Sequence, residues 1–182
     1  MLFRSEQYGM EIFDVQVKKR QGKSIRVFVC KAGRKEILSS VQTFLNIEKT
    51  MGLDKFENYQ KLAEKIADSK KELVSILKDL KDKGLSIAAY GSPARGNTIL
   101  NYCKIGPDIL DFATEELPSK IGLYTPGMHI PVVDIEEARE NPPDYYLMLA
   151  WNYKDQILKK ELEFMKKGGK FIIPIGDKIE II

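Results

Sequence analysis

Residues 89–102 read AYGSPARGNTILNY, and this stretch decides the fold. A short apolar run, Leu85 to Tyr90, leads into it, and a helical pattern follows from Thr98. The stretch therefore predicts a strand, a glycine turn and a helix. Such a junction leaves backbone N–H groups without partners at the positive end of a helix dipole, which favours an anion. Arg95 lies in the turn, and its guanidinium suits a phosphate.

The turn matches neither of the common phosphate-binding motifs. Asn97 and Thr98 follow Gly96, where a Walker loop has lysine and then serine or threonine. Pro93 takes the place of the middle glycine of the dinucleotide fingerprint and has no N–H. A turn that uses glycine and proline only for its geometry is therefore the alternative. The candidate ligand-binding residues are Gly91, Ser92, Pro93, Ala94, Arg95, Gly96 and Asn97.

Length and composition indicate an ordinary globular protein. The 182 residues, 43% hydrophobic and 30% charged, are enough for one domain, or for one domain with a small appendage. No apolar run is long enough to span a bilayer and no secretory signal is present, so we expect a cytoplasmic location and no membrane partner. Cys30 and Cys103 are far apart, which argues against a disulfide framework or a metal site.

The net charge of +3 is unevenly distributed along the chain. Residues 15–35 contain eight basic residues and no acidic one, which would suit a nucleic-acid or phosphate footprint. Aromatic residues are not interleaved beyond Phe28, and no nucleic-acid motif is visible. We therefore favour a solvated hairpin surface and expect no nucleic-acid partner. The basic residues are Lys18, Lys19, Arg20, Lys23, Arg26, Lys31, Arg34 and Lys35.

The N-terminal half predicts a hairpin and a long helix. Apolar residues alternate with polar ones over Glu11–Val17 and again over Ser24–Cys30, and a polar turn at 18–23 separates the two runs. This pattern is typical of an antiparallel hairpin. Apolar residues then recur at steps of three and four from Phe56 until Gly84, which predicts a long amphipathic helix.

After Gly84 the pattern changes to alternating strands and helices. Near-continuous apolar strands between helices imply a parallel sheet covered on both faces. The predicted strands span 85–90, 109–113, 145–150 and 171–175, and the predicted helices span 98–104, 135–140 and 153–167. The fold class predicted is α/β, a Rossmann-like parallel sheet with flanking helices, preceded by an antiparallel β-hairpin and a long helix. The predicted parts are the hairpin at 1–35, a linker with the long helix at 36–84, and the Rossmann-like domain at 85–182.

Two further stretches carry candidate site residues. Trp151 follows the strand at 145–150 and could stack on a base or a sugar, although a buried packing role fits equally well. The connection 122–131 contains His129, the single histidine of the chain, which is a general base or a hydrogen-bonded anchor of its loop. No Ser/His/Asp set and no diagnostic carboxylate pair accompany it, so the catalytic residues stay unknown.

Three blocks of sequence together resemble one family. YGSPARGNTILNYC, KIGLYTPGMHIPV and PDYYLMLAWNY are similar, in order and separation, to the signature blocks of the C-terminal domain of SAM-dependent C-methyltransferases, including those that act on nucleotide-linked deoxysugars. In that family the domain resembles a Rossmann fold and packs beside a separate SAM-binding domain. The resemblance implies that the phosphates of a sugar nucleotide, or groups near them, lodge at residues 91–97. It also implies a substrate site with walls formed by Tyr124, His129 and Trp151, and Asn152 is a further candidate substrate-binding residue.

The resemblance extends into the predicted hairpin. Residues 9–15 and 21–29 look like the last two strands of the family's methyltransferase domain. The second segment commonly reads HGGSLR in the family, so this chain departs from the pattern at Gln21 and Lys23. The absence of an imidazole at position 21 means that no acid/base role is carried over to it.

The family's remaining functional parts would precede Met1. These parts are the SAM-binding glycine loop, the acidic ribose-binding residue and a Tyr/His/Glu/His cluster implicated in proton abstraction. We therefore expect a fragment that binds no cofactor itself, with SAM bound by the missing N-terminal domain, and that is inactive alone. The expected substrate is a nucleotide-linked sugar. The alternative is a free-standing Rossmann-like module that binds a nucleotide or sugar nucleotide without catalysis.

Overall fold

The computed structural model describes residues 2–18, 24–176 and 178–182, so the predicted turn residues 19–23 lie outside the described residues. The backbone divides into two compact units, Met1–Glu64 and Lys65–Ile182. Each unit is described by itself. The domain boundaries predicted at residues 35 and 84 stay a prediction.

The first unit contains the predicted hairpin. Its two strands are antiparallel and pair Ile12 with Val29 and Val15 with Val27, and the register shifts between Ile12 and Asp14. The elements of this unit are α1 (Leu2–Glu6), β1 (Met10–Lys18), β2 (Ser24–Lys31), α2 (Ser39–Met51) and the start of α3 (Phe56–Asp82). Helix α2 was not predicted, and Gly52 ends it in the left-handed conformation at φ 61°.

A side-chain contact ties the hairpin to α2. The Ser40 hydroxyl donates to Asp14 Oδ1 at 2.7 Å and accepts from the Val15 N–H at 3.2 Å. The hydrogen bonds from Ser40 and then Gln16 hold the pKa of Asp14 below its ordinary value. Apolar packing adds to this contact, since Ile12 of β1 and Val41 of α2 are both buried.

The second unit contains the α/β sheet. After α3, its elements are β3 (Ile87–Tyr90), α4 (Ala94–Cys103), β4 (Ala113–Glu115), β5 (Val132–Asp134), α5 (Ile135–Glu140), β6 (Tyr145–Met148), a 3₁₀ turn (Trp151–Tyr153), α6 (Lys154–Lys160), α7 (Leu162–Lys166), β7 (Lys170–Ile173) and β8 (Glu180–Ile181). The spatial order is β5-β4-β3-β6-β7-β8. All neighbouring pairs are parallel except β7 with β8. The predicted fold class is confirmed.

Both faces of this sheet are covered, as the near-continuous apolar strands predicted. Alternate residues of a strand point to opposite faces, so Ile87 and Ala89 join one core cluster and Ala88 and Tyr90 join the other. Helices α3 and α4 cover the first face, where Leu77 and Leu100 are fully buried. On the second face the helical residues of the core are Ile135, Ile157, Leu158, Phe164 and Met165.

Two of the predicted elements were misplaced. The strand predicted at 109–113 is wrong, because residues 107–109 form a turn and β4 begins at Ala113. Ile109 and Leu110 are apolar because they pack in the core, not because they belong to a strand. The helix predicted at 153–167 is interrupted at Glu161, between α6 and α7.

Within the described ranges, every helix is too short or too polar to cross a membrane.

Candidate functional site

The site is positioned by the order of the strands. From β3 the chain moves to β4 and β5 on one side, and it then crosses to β6 on the other side of β3. In open α/β sheets this switch point creates a crevice at the carboxyl ends of the strands, where ligands bind. Gly91 and Ala150 follow the two strands at this point. Gly91 has φ 81°, and a Cβ there would lie 3.3 Å from the Ala150 Cβ, so glycine allows the close turn.

The first turn of α4 faces this edge without a cap. Pro93 is the N-cap residue, with φ −74° and ψ 154°, and it makes no side-chain capping bond. The first hydrogen bond of the helix runs from the Asn97 N–H to the Pro93 carbonyl at 3.2 Å. Among the described residues, no acceptor is paired with the Ala94 N–H. The start of α4 is thus available to an anion.

A hydrogen-bonded cluster stands beside that helix start. Glu115 Oε2 accepts from the Ser92 hydroxyl and from the Lys120 ammonium, each at 2.8 Å, and Lys120 also donates to the Ser92 carbonyl at 3.3 Å. Partial burial acts to raise the pKa of Glu115, but the bonds from Lys120 and Ser92 outweigh it, and the net shift is downward. Glu115 is therefore an ionised group that fixes Ser92 and Lys120.

One cleft, here called the helix-terminus cleft, lies next to α4 and has a volume of about 320 Å³. Asn97 lines this cleft, and its Oδ1 atom is buried without a hydrogen-bond partner among the described residues. Lys120 brings a positive charge to the same cleft. Its lining residues are Ser92, Ala94, Asn97, Lys120, Leu123, Tyr124, Thr125, Pro126 and Val132.

A second cleft, here called the switch-point cleft, has a volume of about 400 Å³. An ion pair between Lys160 of α6 and Glu116, which follows β4, joins two of its lining residues. Gly91 also lines it, and its N–H donates to Thr114 Oγ1 at 3.1 Å. The lining residues are Tyr90, Gly91, Thr114, Glu115, Glu116, Ile135, Ala150, Tyr153, Gln156, Ile157 and Lys160.

A buried polar network supports the switch-point cleft. The Tyr90 hydroxyl donates to Glu161 Oε1 at 2.8 Å, and Arg139 Nη2 donates to the same oxygen at 2.5 Å. Burial, and then the bond to Glu161, raises the pKa of Tyr90 well above its ordinary value. The bond to Glu161 also raises the pKa of Arg139. The Tyr90 phenol therefore stays protonated at neutral pH, and these hydrogen bonds join β3 to α5 and to the break between α6 and α7.

The connection 122–131 is anchored to α4. Asn101 Nδ2 donates to the Pro126 carbonyl at 2.9 Å, and Gly127, at φ 83°, has no room for a Cβ, which would lie 2.0 Å from Asn101 Oδ1. Within the turn the His129 N–H donates to the Thr125 carbonyl at 3.0 Å. His129 itself has φ 55°, a conformation that is uncommon for residues other than glycine.

The structure groups some of the predicted site residues and separates others. Ser92, Ala94, Asn97 and Tyr124 line the helix-terminus cleft, and Gly91 lines the switch-point cleft. The remaining predicted residues, Pro93, Arg95, Gly96, His129, Trp151 and Asn152, are not among the lining residues of either cleft.

The residues outside the clefts have different surroundings. Gly96 is buried against Leu149, and Pro93 occupies the N-cap position without a side-chain capping bond. Trp151 packs against the second core cluster, which agrees with the packing role given as its alternative. Asn152 and Arg95 are exposed. Their roles toward a ligand stay predictions.

Sequence reasoning missed the polar residues that follow β4 and β6. Glu115 ends β4 and Glu116 follows it, a position where α/β folds place ligand-binding residues. With a strand predicted at 109–113, Glu115 and Glu116 are placed in a loop, and nothing then indicates that they lie at the end of a strand. The predicted helix at 153–167 contains Tyr153, Gln156 and Lys160. Nothing in the sequence distinguishes these three from the other solvent-exposed residues of that helix.

No cluster of three or more histidine, cysteine or carboxylate side chains suited to a metal ion occurs in the part of the chain that the structure describes.

The strand order, the uncapped start of α4 and the two clefts define a Rossmann-like α/β domain with a crevice at its switch point. The sequence profile of the C-methyltransferase C-terminal domain family matches residues 19–176, so the chain belongs to that family. The predicted family resemblance is confirmed.

A curated relative extends this comparison. The chain is 32% identical over 173 residues to the C-methyltransferase NovU of Streptomyces niveus. The match covers 94% of this chain and 41% of that relative. The chain thus spans less than half of the length of the curated relative that it matches.

Proposed function

We propose that this chain is the substrate-holding C-terminal portion of a SAM-dependent C-methyltransferase that acts on a nucleotide-linked sugar. SAM would be bound by a preceding domain and would supply the methyl group. The residues of this chain would bind and orient the substrate. The lack of activity in isolation and the cytoplasmic location stay predictions.

The uncapped first turn of α4 carries this proposal. A pyrophosphate needs N–H donors and positive charge, and the Ala94 amide supplies the first while Lys120 of the helix-terminus cleft supplies the second. Each hydrogen bond to a charged group contributes about 1.5–3 kcal/mol. A few such bonds are enough to hold a substrate by its phosphates.

The cluster around Glu115 supports the same assignment. Because Glu115 holds both Ser92 and Lys120, the ammonium is already positioned before a ligand arrives. Lys120 keeps 41% of its side chain exposed and is therefore able to contact a phosphate while it stays near Glu115. Preorganised groups of this kind lower the entropic cost of binding.

Calorimetry on the full 182-residue chain tests the proposal. UDP-glucose, dTDP-glucose and GDP-mannose serve as probes, with SAM as a separate titrant. We expect at least one sugar nucleotide to bind and SAM to give no signal. Binding of SAM would contradict the assignment of the cofactor to another domain, and the absence of binding by all three sugar nucleotides would contradict the substrate class.

A matched pair of variants tests the helix start. Ala94→Pro removes one N–H at a first helical position, where proline is tolerated, and Pro93 already has the extended conformation that a following proline requires. Ala94→Ser keeps the N–H. Loss of one charged hydrogen bond weakens binding about tenfold. We expect this loss for Ala94→Pro alone, and equal affinities for the two variants would contradict a phosphate at this turn.

A further inference from the structure

We propose that the switch-point cleft holds an uncharged, hydroxyl-bearing ring of the substrate, while the helix-terminus cleft holds the phosphates. This assignment rests on the proposed function and divides one ligand between two named clefts. The ring is either the transferred sugar or the ribose of the nucleotide, since both present the same chemistry.

The two clefts differ in the charged groups of their linings. Glu115 and Glu116 line the switch-point cleft, and its single cation, Lys160, is paired with Glu116 within the described lining. A phosphate placed there would lie against two carboxylates. The described lining of the helix-terminus cleft instead contains no carboxylate; its Lys120 pairs with Glu115 but keeps 41% of its side chain exposed, and the cleft borders the uncapped start of α4. The anionic part of the ligand therefore favours the helix-terminus cleft.

Exposed polar side chains lie in the switch-point cleft. Tyr153 and Gln156 both line it, and their hydroxyl and amide groups are accessible to a ligand. Glu116 uses one carboxylate oxygen for Lys160, so the other is open to a donor. A sugar hydroxyl both donates and accepts, which matches an amide, a phenol and a carboxylate together.

The rest of the lining suits the faces of a ring. Ile135, Ala150 and Ile157 provide an apolar part, and the Tyr153 side chain is 53% exposed beside it. A sugar presents C–H groups on its faces and hydroxyls at its edge. The volume of about 400 Å³ is also in the range of small-molecule sites.

The two clefts are close enough for one ligand. Ser92 lines the helix-terminus cleft, Glu115 lines the switch-point cleft, and their side chains are hydrogen-bonded at 2.8 Å. A pyrophosphate at the start of α4 would therefore leave an attached ring beside Glu115 and Glu116.

Saturation-transfer difference NMR on the full chain tests this division. UDP-glucose and UDP are the two probes, which separates the glucose ring from the ribose. We expect Tyr153→Ala and Gln156→Ala to reduce saturation of one ring at least threefold. Tyr102→Ala, which removes another exposed tyrosine of the same unit, is the control and should change neither ring. A loss on glucose protons assigns the cleft to the sugar, and a loss on ribose protons assigns it to the nucleotide.

The outcomes separate this proposal from the one that it rests on. Unchanged saturation of both rings in Tyr153→Ala and Gln156→Ala, while Ala94→Pro still weakens UDP binding, would overturn the ring assignment and leave the proposed function in place. The absence of saturation of either probe by the unaltered chain would overturn both.

Discussion

Gly96 of α4 lies against Leu149, the residue that follows β6, so closely that a Cβ on Gly96 would come within 2.7 Å of the Leu149 Cβ. Leu149 is 1% exposed and has little freedom to move. The contact sets the start of α4 beside the carboxyl end of β6. The first turn of α4 and the crevice therefore share one packing constraint.

Replacing Gly96 with alanine should destabilise the protein. Helix propensity alone would stabilise the variant by about 1 kcal/mol, but overpacking in a core costs about 1–3 kcal/mol. We expect a net loss of about 1 kcal/mol in the free energy of unfolding, measured by urea denaturation. Thr98→Ala, at an exposed position of the same helix, should not destabilise it. A stabilised Gly96→Ala variant would contradict this prediction, because it would show that Leu149 can move to make room for the added methyl group.

Replacing Arg139 with methionine should destabilise the second unit. Glu161 is only 6% exposed, and the variant would leave its carboxylate with Tyr90 as the remaining side-chain donor described. Breaking a buried ion pair in this way costs about 3 kcal/mol. Thermal or urea unfolding measures the loss, and a second change, Glu161→Gln, should recover much of it because the buried charge is removed.

An exposed ion pair provides the matched control for Arg139. Lys71 and Asp68 have side chains that are 78% and 74% exposed, so Lys71→Met should change the free energy of unfolding by less than about 0.5 kcal/mol. A cost for Arg139→Met no larger than that of the control would mean that the buried network does not stabilise the fold.

The aromatic cluster should make stability fall at alkaline pH. Burial raises the pKa of Tyr146 from 10.0 to about 12, so the folded state keeps a proton that the unfolded state releases. This contribution is complete below pH 10 and is lost as the pH rises from 10 to 12. Between pH 8 and pH 11 the free energy of unfolding should fall by about 1 kcal/mol less in Tyr146→Phe than in the parent protein. Tyr102→Phe is the exposed control, and identical pH profiles for all three proteins would contradict this prediction.

The two cysteines should differ in reactivity. Cys103 is buried, and burial raises the pKa of its thiol, which lowers the fraction of reactive thiolate. Cys30 is half-buried in β2. We expect Cys30 to react at least about tenfold faster with a thiol reagent in the native protein, measured by mass spectrometry. Cys30→Ser should remove the fast phase, and a fast phase that survives in that variant would contradict the burial of Cys103.

The junction at Gly91 could be predicted from the sequence because its signals are local. An apolar run, a glycine with positive φ and a helical period all lie within a few residues of one another. The hairpin was predicted correctly for the same reason, since alternation over each strand is enough to define it.

The errors arose where burial and strand pairing depend on distant residues. Leu110 is fully buried directly after a turn and so has the same apolar signal as a strand residue. Strand β4 is defined by the pairing of Ala113 with Ala89 and Val132, which no local pattern reveals. Strand β5 has three residues, too few for a period to be visible.

The site was only partly predictable for a related reason. Ser92 meets Glu115 across 23 positions of the chain, and Tyr90 meets Glu161 across 71. In the sequence Glu161 looks like any charged residue of a solvated helix. Its burial follows from folding alone, so no composition or period could have marked it.

The central claim is that the first turn of α4 binds the phosphates of the substrate, and a backbone NMR titration tests it most directly. UDP is added to the ¹⁵N-labelled full chain, and the amide shifts are followed residue by residue. We predict that the largest changes occur at the amides of Ala94 and Gly96, and that the Gly96 change is lost in Ala94→Pro, which has no amide proton at position 94. Changes confined to the basic stretch at residues 15–35, with the Ala94 amide unmoved, would contradict the account.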